Sequence, residues 1–204
     1  MLPDALYDSV SRETQDKLDV YHGLLLKWQK AINLVSPSTL SAAKQRHFLD
    51  SLQILPLISD DTKVLYDIGS GAGFPGLVVA VSRSDIDIHL IESDERKGQF
   101  LRTVSRETET PITVHTERIE QTDLPAPDVV TARALADLSL LFGFCEGWTL
   151  KNSALEMVFM KGRSFEAEID AARAIYDFDV ERQPSITGEG AVILKVTNLI
   201  KKTK

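Results

Sequence analysis

The sequence holds a single cysteine, Cys145, so no internal disulfide can form, and no Cys/His cluster has zinc-ligand spacing. Cys145 follows the apolar run Leu140-Leu141-Phe142-Gly143-Phe144. Reactive thiols sit in electropositive, partly exposed settings, so this one reads as a buried structural thiol. Long hydrophobic stretches are missing too: the longest, around residues 138–144, is far too short to cross a bilayer. The opening residues Met1-Leu2-Pro3-Asp4 lack the basic-then-apolar order of a secretory signal. A soluble, cytoplasmic protein without membrane or metal is therefore expected. Positive charge is in deficit, with 30 acidic against 23 basic residues and a net charge of -7. That balance excludes a general nucleic-acid coat protein, although an enzyme meeting RNA through a local basic patch remains compatible with it. Internal repeats and low-complexity tracts are also absent, which excludes a solenoid and a disordered chain.

What is present suits one compact unit with a short extension: 204 residues, 43% of them hydrophobic, can bury a real core. From residue 9 to 34, Leu18, Tyr21, Leu24, Leu25, Trp28 and Ile32 recur at helical spacing, and Pro37 ends the pattern. Trp28 belongs to that apolar stripe and reads as a packing residue. A second helical stretch is expected from about residue 38 to 56, through Phe48, Leu49, Leu52 and Leu55. After Asp60 the period changes. Segments 63–68, 86–92, 112–115, 128–131 and 155–160 read as strands, alternating with helical patterns at 100–106, 135–150 and 165–176. Such alternation predicts βαβ units and a mostly parallel sheet. Segments 177–182 and 191–197 flank Pro184 and Gly188-Glu189-Gly190, which predicts a final hairpin with an antiparallel last strand. The expected division is a helical extension over 1–60 and an α/β domain over 61–204.

The sharpest local signal is Val64-Leu65-Tyr66-Asp67-Ile68-Gly69-Ser70-Gly71-Ala72-Gly73-Phe74-Pro75-Gly76. A strand runs into closely spaced glycines, with Pro75 where a helix should begin. The backbone must turn sharply there and let a ligand approach, at the carboxyl end of the first strand. Gly71-x-Gly73-x-x-Gly76 satisfies the dinucleotide fingerprint, and Glu92 ends the next strand where a ribose-binding acid stands. Asp67 discriminates between the candidate ligands. A carboxylate beside the loop repels a pyrophosphate but suits S-adenosylmethionine, which carries an ammonium and a sulfonium and no phosphate. Asp67, Gly71, Gly73 and Glu92 are thus candidate cofactor residues, with Glu92 accepting from the ribose hydroxyls.

Beyond the loop, the chain resembles the bacterial small-subunit (16S) ribosomal RNA methyltransferase G family over nearly its whole length. The resemblance lies in Leu24-Leu25-Leu26-Lys27-Trp28-Gln29, Ile32-Asn33-Leu34, Arg46-His47-Phe48-Leu49-Asp50-Ser51 and the stretch from Asp67 to Gly76. It continues in Ile91-Glu92-Ser93-Asp94-Glu95-Arg96-Lys97, Phe100-Leu101-Arg102, Arg118-Ile119-Glu120, Thr131-Ala132-Arg133-Ala134-Leu135-Ala136 and Met160-Lys161-Gly162. It implies a class I S-adenosylmethionine-dependent methyltransferase, with a Rossmann-like seven-stranded sheet behind an N-terminal helical extension. It implies methylation of N7 of one guanine in 16S rRNA of the small ribosomal subunit. Carried onto this sequence, the cofactor contacts implied are Gly69, Phe74, Ile119, Glu120 and Arg133, with Glu92 on the ribose. Asp137 departs from the resemblance, standing where a proline is expected before the next helix.

N7 of guanine has a lone pair and no hydrogen, so no general base is expected and no catalytic acid–base residue is assigned. Alignment alone can contribute roughly 7–11 kcal/mol. Candidate RNA contacts are Arg46, His47, Arg118, Arg133, Lys161 and Arg163, joined by the tail Lys201-Lys202-Thr203-Lys204. His47 reads equally well as a half-buried histidine satisfied by local backbone. A monomer is the default. Two rival functions are a nicotinamide-dependent oxidoreductase, disfavoured by Asp67, and a non-catalytic scaffold on the same fold, disfavoured by the intact set of loop and acidic residues.

Overall fold

The computed structural model describes residues 6–7 and 9–203; Lys204, of the basic tail, lies outside them. Among the described residues seven strands form where the sequence places them: β1 (Val64–Ile68), β2 (Asp87–Ile91), β3 (Thr113–His115), β4 (Val129–Arg133), β5 (Glu156–Lys161), β6 (Tyr176–Pro184) and β7 (Val192–Lys201). They make one sheet in the order β3-β2-β1-β4-β5-β7-β6. The first five strands are mutually parallel, while β7 runs antiparallel to both β5 and β6. The last strand in sequence thus inserts beside β5, leaving β6 at the edge. Pro184, which cannot donate to a ladder, ends that edge strand.

The central strands are buried on both sides, hence their continuous apolar runs. One face carries α1 (Arg12–Trp28), α2 (Gly76–Ser82) and α3 (Glu95–Glu107). Ser11 caps α1, its Oγ accepting from the Thr14 amide at 3.1 Å. Leu18, Tyr21 and Leu25 form the buried stripe of α1 and share one core with Leu77, Val78 and Phe100. Segment 9–58 is therefore packed into the α/β core. Trp28 is half-buried within it, its ring 5.6 Å from that of Phe100. The other face carries α4 (Leu138–Thr149) and α5 (Phe165–Arg173), covering Tyr66, Val130, Met157 and Phe159. Cys145 lies fully buried there, and burial pushes its thiol far up.

Several element boundaries differ from expectation for local reasons. The second helical stretch is no continuous helix. It comprises a turn at Pro37–Leu40, a π-helical turn at Lys44–Leu49, an α turn at Asp50–Leu52 and a 3-10 turn at Leu55–Leu57. The wider π turn buries three consecutive residues, His47, Phe48 and Leu49, and such turns gather at functional sites. Helix α3 starts at Glu95 because Asp94 caps it, accepting from Arg96 N at 2.8 Å. Asp137, where a proline was expected, caps α4 by accepting from Leu140 N at 3.0 Å. Helix α5 ends at Arg173, since Tyr176 already opens β6.

Candidate active site

Strand β1 ends in a loop whose glycines Gly69 and Gly71 take φ values of 65° and 57°. A side chain is strained there, and a Cβ on Gly69 would also strike Leu135 Cδ1 at 2.5 Å. The loop is tied to the neighbouring strand: Gly69 N and Ser70 N both donate to Ile91 O, at 2.9 and 3.1 Å. Above it lies a cavity of about 570 Å³, in the range of small-molecule sites. Gly69, Gly71, Phe74, Glu92, Ile119, Glu120, Arg133 and Arg118 all line it. Leu34, Val35, Thr39 and His47 close it from the helical extension.

Glu92 is the best-defined group on this wall. It is 7% exposed, and its Oε2 accepts from Gly71 N and its Oε1 from Asp94 N, both at 2.8 Å. Each oxygen keeps lone-pair capacity for a further donor. The Gly71 amide, which a phosphate in this loop would need, is already engaged by a carboxylate.

Asp67 and Gly73, expected among the cofactor contacts, do not reach the cavity wall. Asp67 is fully buried beneath the loop, its Oδ1 accepting from Thr131 Oγ1 at 2.7 Å while Oδ2 has no partner among the described residues. It packs under Gly76, where a Cβ would fall 2.4 Å from its own. Burial pushes the Asp67 carboxyl up to about 6, against the opposing pull of the Thr131 hydrogen bond. Gly73 faces inward, with Tyr21 Oη and Leu77 Cβ where its side chain would be. Tyr21 reaches from α1 to donate to Ala72 O and stacks on Phe74 with centroids 5.4 Å apart. The extension thereby holds the loop.

Arg133, at the end of β4, spans Phe74 and Asp50. Its guanidinium stands 5.0 Å from the Phe74 centroid, and Nη1 donates to Asp50 Oδ2 at 3.3 Å and Arg46 O at 3.2 Å. Asp50, which sequence reasoning missed as a site residue, gathers three segments. Gln53 Nε2 donates to its Oδ1 at 2.7 Å, as do Ser185 Oγ at 3.3 Å and Thr187 Oγ1. Its role was not legible locally, since apart from Gln53 its partners lie 83 to 137 residues away.

A second cleft of about 310 Å³ adjoins the first; Thr39, His47, Arg133 and Ala134 line both. Arg46 and Lys161 border it as well. The expected basic patch is only partly free. Lys161 is 9% exposed at its side chain, paired with Glu168 Oε2 and donating to Ala136 O, both at 2.6 Å, so its charge is spent locally. Arg163 stays largely exposed beside Glu189, and Arg46 and Arg118 are exposed on the rim. Lys201 and Lys202 of the tail pair with Glu146 and Asp177, away from both clefts. Among the described residues no helix is long and apolar enough to cross a membrane, and no cluster of three potential metal ligands forms.

His47 is 8% exposed, stacked on Phe74 at 5.2 Å. Burial first, then Arg133 and Arg46, pulls its imidazole down to about 4, so the ring is neutral at physiological pH.

The family model and the sequence relatives point to one family. The family model described as rRNA small subunit methyltransferase G matches residues 14–196. The ribosomal RNA small subunit methyltransferase G of Paramagnetospirillum magneticum is 49% identical over 187 residues, covering 91% of this chain and 89% of that protein. That of Brucella ovis is 46% identical over 200 residues, covering 96% and 92%. Among solved structures, a mutant of MtNAS in complex with S-adenosylmethionine superposes with a TM-score of 0.59 at 13% identity, covering 90% of this chain and 75% of that one.

Proposed function

The chain belongs to the rRNA small subunit methyltransferase G family, and on that premise we propose that it transfers a methyl group from S-adenosylmethionine to N7 of a guanine in 16S rRNA. One observation carries the cofactor assignment: the buried Glu92 carboxylate, bonded to the Gly71 and Asp94 amides at the cavity wall. A pyrophosphate seeking the Gly71 amide would meet this carboxylate. Like charges about 4 Å apart repel by roughly 1 kcal/mol in water and 4 kcal/mol near a protein surface. A nucleoside with free ribose hydroxyls and no phosphate instead finds two acceptor oxygens.

Glu92 holds the ribose, Ile119 offers apolar surface to the adenine, and Gly69, Gly71, Phe74, Glu120 and Arg133 line the remaining contact. Asp67 and Gly73 shape the loop from beneath. When bound, S-adenosylmethionine supplies a sulfonium methyl, which an acceptor lone pair takes as the carbon–sulfur bond breaks and its electron pair returns to sulfur. The chain's own task is to align the base, exclude water and hold the Phe74–Arg133 wall in place. Guanine N7 is a hydrogen-bond acceptor with no proton to remove, so no general base is needed. Positioning of this kind contributes roughly 7–11 kcal/mol.

Arg46 and Arg118, exposed beside the clefts, and the exposed Arg163 are assigned to RNA phosphates, and Lys161 to the local frame. The protein acts as a monomer in the cytoplasm, with the small ribosomal subunit as its partner. Incubation with methyl-labelled S-adenosylmethionine and purified small subunits lacking the modification tests this reading. Label in 16S rRNA is the expected result; label in ribosomal protein, or none, refutes it.

A further inference from the structure

The imidazole of His47 carries an unanswered hydrogen-bonding requirement at the boundary of the two clefts. Its Nε2 lies 2.9 Å from Thr39 Oγ1. That hydroxyl has one hydrogen, directed to Ser36 O at 2.8 Å. Thr39 therefore accepts, and Nε2 donates. The neutral ring then carries its bare lone pair on Nδ1, which is buried and has no partner among the described residues. Arg133 Nη1, on the same cavity wall, is committed to Asp50 and Arg46 O. A buried acceptor without a donor is costly, and native structures seldom leave one without a purpose.

We propose that His47 Nδ1 reads the target base, accepting a hydrogen bond from the N–H donors on the Watson–Crick edge of guanine. This rests on the methyltransferase reading above and adds a specificity-determining residue to it. In guanine, N7 and O6 are acceptors on one edge, while N1–H and the N2 amino group are donors on the opposite side. A base presenting N7 to the cofactor cavity directs its donors away from the cofactor, into the adjoining cleft that His47 shares. Adenine carries a bare N1 there, which would set lone pair against lone pair at Nδ1. The fixed tautomer thus selects guanine, and the same contact holds N7 forward.

His47→Gln and His47→Asn separate this role from a packing role. A glutamine keeps a donor near the Nε2 position for Thr39 but loses the Nδ1 acceptor; an asparagine oxygen approximates Nδ1. For His47→Gln, kcat/KM toward unmethylated small subunits should fall at least about tenfold, the equivalent of one lost buried hydrogen bond. Calorimetric affinity for S-adenosylmethionine should stay within about twofold of wild type, and His47→Asn should recover part of the loss. Equal loss of cofactor affinity would assign Nδ1 to the cofactor and overturn the proposal, as would unchanged turnover in a folded His47→Gln. If neither variant folds, 15N NMR of the wild-type imidazole still decides: a proton on Nε2 is expected, and one on Nδ1 overturns the assignment. Failure of wild-type protein to label small subunits would instead remove the methyltransferase reading itself.

Discussion

Replacing Asp67 by asparagine should make the protein relatively more stable as pH rises, the opposite of what loss of an ion-paired carboxylate does. Asp67 is fully buried, and burial raises its folded-state carboxyl from 3.8 to about 6. Below pH 4 the acid is protonated in both folded and unfolded chains and costs nothing. Between about pH 4 and 6 the unfolded chain releases the proton while the folded chain retains it, so native stability declines across that window and levels off above it. A shift of about two units is worth about 3 kcal/mol. Asparagine does not titrate. Any fixed cost of placing its amide beside Thr131 is the same at every pH and cancels in the comparison. Denaturant unfolding of wild type and Asp67→Asn at pH 4, 5, 6 and 7 should show the difference, variant minus wild type, growing by roughly 2–3 kcal/mol in favour of the variant. A flat difference, or one that shrinks as pH rises, would refute the picture of a desolvated acid beneath the loop.

Other perturbations follow from the same geometry. Glu92→Gln removes the charged acceptor proposed for the ribose, worth about 1.5–3 kcal/mol, so affinity for S-adenosylmethionine should fall roughly 10- to 150-fold by calorimetry. Asp50→Ala leaves the Arg133 guanidinium, 17% exposed, without its carboxylate and unties Ser185 and Thr187. Stability should fall by roughly 3 kcal/mol, lowering Tm by about 6–12 °C in a thermal melt, while an unchanged Tm would deny the pair any structural role.

Much of this architecture was legible in the sequence because it follows short-range patterns. Each segment read as a strand after Asp60 became one, and the β1 glycines, together with Glu92 beyond β2, took the positions that a loop at the carboxyl end of β1 requires. The helical extension was legible as an amphipathic stripe at Leu18, Tyr21 and Leu25. What escaped depends on distant partners. Lys161 looked available for RNA until Glu168 of α5 was found against it. Asp50 lay in the stretch from Arg46 to Ser51 that carries the resemblance, but its role was not legible there, since the partners that define it sit on β4 and past β6. Asp67 was singled out as a ligand contact, but charge and position alone could not say that it faces Thr131 and Gly76. His47 needed the π turn, which no periodicity announces, to be carried inward between the two clefts.

The most direct test is a pair of titrations into the purified protein, one with S-adenosylmethionine and one with a nicotinamide dinucleotide. With Glu92 bound to the Gly71 amide, the sulfonium nucleoside should saturate one site per chain and the dinucleotide should produce no binding heat. Saturable binding of the dinucleotide, with none of S-adenosylmethionine, would contradict the assignment of the cavity.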